Sequence, residues 1–271
     1  MSGGRLPVFV SDQGNESTAG VSVPSNNDET TSSAPSASLS LADRLANWSE
    51  GMLRGPEGEV VSVFGFTPEE AQKVLFPVTR ERGLPLDYRP RDLAPIPGGR
   101  SGVLVRAVVL PDLEAMLASA LRLAVVSGFR SSSTQASLFD SRVRQRLAAS
   151  AGALSLEDAR EQTNAGTALP EHSQHQLGTA VDLSTPEVGY QITRAFIQTP
   201  AAYWLQEHAW EYGFVFPYTE AGRERTGYIA EPWHLRWIGR PLAAFLQSDG
   251  YLEGDLVADD YLEALERLLN E

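Results

Sequence analysis

Hydrophobic positions along the chain change period several times, and each change marks an element. Leu41, Leu45, Trp48 and Met52 form a helical stripe behind Ser40, a candidate N-cap with Asp43 three residues on. Thr67-Pro68-Glu69-Glu70 reads as a second helix start, a cap followed by an N1 proline and an acidic first turn. Pro77 ends or kinks that helix. Residues 84–100, rich in Pro, Arg and Gly, read as a long surface loop. Leu113, Met116, Leu117, Ala120 and Leu121 predict an amphipathic helix, and Leu123 to Val126 a short strand. Phe139, Val143 and Leu147 stripe a further helix whose first turn holds Ser132 and Gln135. Residues 150–171 predict a polar loop with about one helical turn near Leu156.

The second half continues in short pieces. Thr179 to Leu183 reads as a strand. Thr199-Pro200 opens a helix with Ala201, Trp204, Leu205, His208 and Tyr212 on one side and Gly213 as its stop. Phe214 to Tyr218 and Gly227 to Trp237 read as strands, and Leu242 to Leu246 and Leu256 to Leu269 as closing helices. Helices and strands that do not alternate as βαβ units predict an α+β fold with a small antiparallel sheet. Residues 11–40 are Ser/Thr-rich, without aromatic residues or period. Too little apolar area is available there to offset ordering, so residues 1–40 predict a disordered linker. A tether of this kind implies a signal or anchor upstream, which the sequence does not show.

Composition narrows the chemistry. The 271 residues carry 35 acidic and 22 basic side chains, a formal charge of −13. That balance argues against a nucleic-acid partner or an anionic membrane surface. With no cysteine, disulfides, thiolate nucleophiles and cysteine-held metals are excluded. No apolar run approaches the roughly 20 residues of a membrane span.

The histidines are His172, His175, His208 and His234. His208 reads as a residue satisfied locally by Glu211, and His172 as a plain surface residue of a polar loop. His175 differs because Asp182 follows on a strand whose Val181 and Leu183 point to the opposite face. Gly178 permits close backbone approach and Ala180 leaves room beside Asp182, an arrangement suited to a metal. Glu231-Pro232-Trp233-His234 places Pro232 where it bends the chain, so that Glu231 and His234 reach one site. Two neutral imidazoles and a carboxylate leave a zinc ion a position for water, whose pKa zinc lowers to about 7. A free carboxylate such as Glu231 can then relay the water's proton. Arg130 follows a strand end and precedes a helix N-terminus lined with hydroxyls, a candidate anion site.

These blocks together resemble a known family. Ser173-x-His175-x-x-Gly178-x-Ala180-x-Asp182 and Glu231-x-Trp233-His234 match the two motifs of the zinc peptidases that include lysostaphin-like, D-Ala-D-Ala and hedgehog-type domains. Ser127-Gly128-Phe129-Arg130-Ser131 with Gln135 further resembles the VanY-type D-alanyl-D-alanine carboxypeptidases. Phe129 stands where that family usually has tyrosine. The resemblance implies zinc, one ion per chain, held by His175, Asp182 and His234. It implies Glu231 as general base and Arg130 as the group opposing negative charge on the scissile carbonyl. Ser173, Gln135, Tyr218 and Trp233 would hold the terminal dipeptide. The implied domain spans 41–271, with 41–90 a helical extension and the small sheet carrying the zinc site between helices.

The implied activity is removal of the terminal D-alanine from peptidoglycan stem peptides, outside the cytoplasm. L,D-carboxypeptidase or endopeptidase action on the same fold, and a zinc-binding module without turnover, are the alternatives. The segment 136–172 is longer than in compact members and is expected to form a lid or rim.

Overall fold

A computed structural model describes residues 52–54, 56–57, 60–119 and 122–248. Two of the expected elements, the stripe behind Ser40 and the helix over Leu256 to Leu269, lie outside the described residues except for Met52. Met52 opens strand β1 (Met52–Arg54), which pairs antiparallel with β2 (Val60–Val63). The described part of the N-terminal extension is therefore a hairpin followed by a helix, rather than helical throughout. That helix, α1 (Pro68–Val74), starts as the sequence predicts. Thr67 accepts from the Glu70 amide, and the Glu70 carboxylate accepts from the Thr67 amide, closing a capping box.

The expected loop over 84–100 contains β3 (Leu93–Pro95), paired with β4 (Leu104–Arg106). Helix α2 (Leu110–Ser119) buries Leu113 and Met116; Ala120 and Leu121 lie outside the described residues. Strand β5 (Ala124–Ser127) leads into α3 (Ser132–Ala149), capped by Ser131, whose hydroxyl accepts from the Thr134 amide. The predicted single turn near Leu156 is a full helix, α4 (Leu156–Asn164), capped by Ser155. Only Ala159 and Thr163 of α4 are buried, a stripe too narrow to stand out in the sequence. Phe139, Val143 and Ala159 give α3 and α4 a small core of their own.

Strand β6 (Ala180–Ser184) is followed by α5 (Pro200–His208), the short strand β7 (Phe214–Val215) and α6 (Arg223–Thr226). Strand β8 (His234–Trp237) and helix α7 (Arg240–Ser248) complete the described chain. The central sheet has the order β5-β6-β8-β7, all antiparallel. Both predicted late strands are shorter than the sequence suggests. Pro217 has no amide proton for a ladder, and Pro232 and the Glu231–His234 turn keep 228–233 irregular. The expected α+β fold with a small antiparallel sheet is the observed one.

Alternation decides which side of the sheet does what. Val181, Leu183, Leu235 and Trp237 join Val125, Phe214 and Leu205 in the main core. Asp182 and His234, paired across β6 and β8, point to the other side. The β5–β6 register slips between Val125 and Ser127, which sets Ser127 opposite Asp182. The wholly buried Arg236 on β8 ties the sheet to the end of α1, donating from Nη2 to the carbonyls of Val74 at 3.3 Å and Phe76 at 2.8 Å.

Gly128 lets the turn after β5 lie against β4. A Cβ there would stand 2.3 Å from the Leu104 carbonyl oxygen, and the Phe129 amide donates to that same oxygen at 2.6 Å. Because the obstacle is backbone, Gly128→Ala is expected to destabilise the fold by about 1–3 kcal/mol. A lowered denaturant midpoint with an unchanged slope checks this; an unchanged midpoint would contradict the packing.

Candidate metal and catalytic site

Three chain segments meet at one point. Gln174–Leu177 forms a tight 3-10 turn ended by Gly178 in the left-handed region at φ 76°, which delivers His175 immediately before β6. Asp182 sits mid-strand on β6, and His234 is the first residue of β8, directed by the turn in which its amide donates to the Glu231 carbonyl at 3.0 Å. One donor atom from each of His175, Asp182 and His234 lies within 4.8 Å of the others. All three residues are buried.

The orientation of each imidazole follows from its neighbours. His175 donates from Nδ1 to the Gly128 carbonyl at 2.8 Å, which leaves Nε2 facing Asp182 Oδ2 at 3.2 Å. His234 presents Nδ1 to Asp182 Oδ1 at 3.1 Å, with Nε2 3.3 Å from Gln174 Oε1. The two rings stand edge to face, 4.9 Å apart. Burial pushes His234 down to about 4, against the opposing pull of Asp182, so the ring is neutral at physiological pH. Burial works to raise the Asp182 carboxyl, but the imidazoles of His175 and His234 outweigh it and hold the group below the usual carboxylate range. Two imidazoles and a carboxylate, buried and convergent, form a donor set suited to a zinc-class ion.

Around this cluster lie two further ionisable groups, Arg130 and Glu231. Arg130 donates from Nη1 to Gln135 Oε1 and from Nη2 to Ser127 Oγ, both at 2.9 Å, and its Nη2 lies 3.6 Å from Asp182 Oδ2. Burial lowers its pKa while Asp182 and Glu231 raise it. Glu231 is pushed up to about 8 by burial and by the charge on Asp182, with Arg130 opposing. A cation held at the cluster would favour the ionised form of Glu231.

The remaining expected site residues are distributed unevenly. The Tyr218 ring lies 5.0 Å from that of His234, and Trp233 is buried, its carbonyl accepting from the Leu183 amide. Ser173 is buried at the start of the His175 turn. Both ends of the Gln135 amide are engaged within the protein, since Nε2 donates to the Ala168 carbonyl at 2.5 Å. The 136–172 segment is a helical hairpin whose end touches the site. Gln135 holds Ala168, and the Ile229 amide donates to the Ala165 carbonyl at 2.8 Å.

Of the other histidines, His208 meets Glu211 at 2.9 Å as the sequence predicts. His172 is half-buried rather than a plain surface residue, with Nδ1 2.9 Å from the Thr79 carbonyl. Gln174 and the Gly128 carbonyl are site groups that sequence reasoning misses. Each acts through a contact with a residue distant in the chain or through its backbone, and neither leaves a periodic signal.

A buried pair of imidazoles and a carboxylate on a small antiparallel sheet, with a carboxyl and a guanidinium beside them, defines the class as a metallopeptidase. The sequence profile of VanY, D-alanyl-D-alanine carboxypeptidase, matches residues 105–240. The putative carboxypeptidase YodJ of Bacillus subtilis (strain 168) is 30% identical over 213 residues, 74% of this chain and 71% of that protein. Among solved structures, the LdcB LD-carboxypeptidase superposes with a TM-score of 0.59 at 28% identity, covering 76% of this chain and 94% of that one. The vancomycin-resistance D,D-pentapeptidase VanY from a VanB-type cassette, in complex with Zn(II), gives 0.57 at 26% identity, covering 70% and 99%. The chain belongs to the VanY family of D-alanyl-D-alanine carboxypeptidases.

Proposed function

We propose that this carboxypeptidase is zinc-dependent and removes the terminal D-alanine of peptidoglycan stem peptides, acting outside the cytoplasm. The observation that carries the proposal is the convergence of His175, Asp182 and His234 within 4.8 Å, with Glu231 and Arg130 in their electrostatic neighbourhood. The solved VanY relative with Zn(II) supports the choice of metal. Among the described residues no helix is long and apolar enough to cross a membrane.

His175, Asp182 and His234 would hold one zinc ion per chain. When bound, zinc supplies a Lewis acid that polarises the scissile carbonyl and acidifies water. Glu231 takes a proton from the attacking water and delivers it to the leaving amine of D-alanine. Arg130, fixed by Gln135 and Ser127, opposes the negative charge that grows on the carbonyl oxygen. Tyr218, whose ring lies 5.0 Å from that of His234, and Ser173, at the start of the His175 turn, would position the terminal dipeptide, whereas the Trp233 side chain packs in the main core. Gln135 would join them only by exchanging one of its two internal hydrogen bonds.

The test is mass spectrometry of purified tri-, tetra- and pentapeptide muropeptides after incubation with the zinc-loaded protein. Conversion of pentapeptide to tetrapeptide is the expected result. Conversion of tetrapeptide to tripeptide instead would assign L,D-carboxypeptidase action, a reading that the LdcB likeness favours. Internal cuts would indicate an endopeptidase, and no product from any muropeptide would overturn the proposal.

A further inference from the structure

The two imidazoles of the cluster are braced differently. His175 is held through Nδ1 by a backbone carbonyl, that of Gly128. His234 is held through Nε2 by a side chain, Gln174, which is 2% exposed and stands directly before His175 in the same 3-10 turn. A neutral imidazole carries one ring proton. If that proton is on Nδ1 of His234, it points at Asp182 Oδ1 and the nitrogen has no free lone pair. If it is on Nε2, it is donated to Gln174 Oε1, and the Nδ1 lone pair faces the cluster.

We infer that Gln174 is the positioning residue that selects the second arrangement, fixing the ring plane and tautomer of His234 so that Nδ1 is the metal-ready atom. The inference rests on the metal reading of the cluster. One turn thus carries a candidate ligand and, one residue earlier, the brace of the other histidine. A glutamine suits the position because its amide is neutral and leaves the charge of the donor set unchanged.

The experiment compares the 271-residue chain with Gln174→Leu and Gln174→Glu. Zinc affinity is read by competition with a chromophoric chelator, and the His234 tautomer by the ring-nitrogen NMR shifts of the metal-free, histidine-labelled proteins. Gln174→Leu is expected to weaken zinc binding by about 10–100-fold, the usual effect of losing a ligand's outer partner. Its His234 should also shift away from the Nε2–H tautomer. Gln174→Glu, which keeps an acceptor in place, is expected to recover binding to within a few-fold of the parent.

Gln174→Leu that binds zinc within about twofold of the parent, with unchanged ring-nitrogen shifts, overturns the inference. A parent protein that takes up no zinc overturns the metal reading as well, a separate result. Should Gln174→Leu fail to fold, Gln174→Asn keeps the amide, withdraws its reach, and decides the question by the same two readouts.

Discussion

Glu231→Gln is expected to lower kcat by at least about a hundredfold on a D-Ala-D-Ala-terminated peptide while the zinc content stays that of the parent. Glutamine keeps the shape and hydrogen-bonding size of the side chain but cannot accept and release a proton during turnover. Glu231 is not one of the three converging donors, so its loss leaves the metal-binding set intact. Steady-state kinetics with elemental analysis checks both halves. Parental turnover in the variant would remove Glu231 from the mechanism.

The same substitution carries a pH signature in the metal-free protein. Glu231 is raised from 4.5 to about 8 in the fold, chiefly by burial and then by Asp182. A carboxyl with a raised folded-state pKa stabilises the fold fully below its unfolded value and loses that contribution as pH climbs to the folded one. Stability of the metal-free parent should therefore fall relative to that of Glu231→Gln between about pH 4.5 and pH 8. Denaturant titrations across that window measure the difference. With zinc bound the dependence should shrink, because the cation favours the carboxylate.

The second large effect is expected at Asp182. Its two oxygens face His175 at 3.2 Å and His234 at 3.1 Å, and the Arg130 guanidinium stands 3.6 Å away. Asp182→Ala removes the charged donor and leaves the partly buried Arg130 without its nearest carboxylate. Zinc should be absent after dialysis, turnover should fall to background, and the fold should lose several kcal/mol, on the scale of breaking a buried ion pair. Stoichiometric zinc in Asp182→Ala would take that residue out of the ligand set. Treating the parent with a chelator should likewise abolish turnover, and zinc should restore it; persistent activity in metal-free protein would place the chemistry in another class.

Much of this site is legible in the sequence because its spacing is local. Asp182 follows His175 by the length of a turn and half a strand, and strand alternation alone sends it away from Val181 and Leu183. Pro232 announces the bend that starts β8 at His234, although the strand is then four residues long rather than eleven. What sequence cannot carry is the pairing of distant partners. Nothing near Gln174 marks it as the neighbour of His234, sixty residues on. Gly128 stands in the sequence only as part of a motif, and its close approach to the Leu104 carbonyl comes from the fold. Helix α4 is read as only a single turn because its exposed positions dominate its composition, while Met52 belongs to a hairpin whose partner strand lies beyond the helical stripe.

The α3–α4 hairpin is fastened at its base, by Gln135 to Ala168 and by Ile229 to Ala165, whereas Ala151, Gly152 and Ala153 at its tip are exposed. Exposed loop tips absorb added or deleted residues with little penalty. Evolution can thus lengthen, shorten or decorate this arm freely, reshaping how the enzyme approaches a bulky polymer while the groups that break the bond keep their positions.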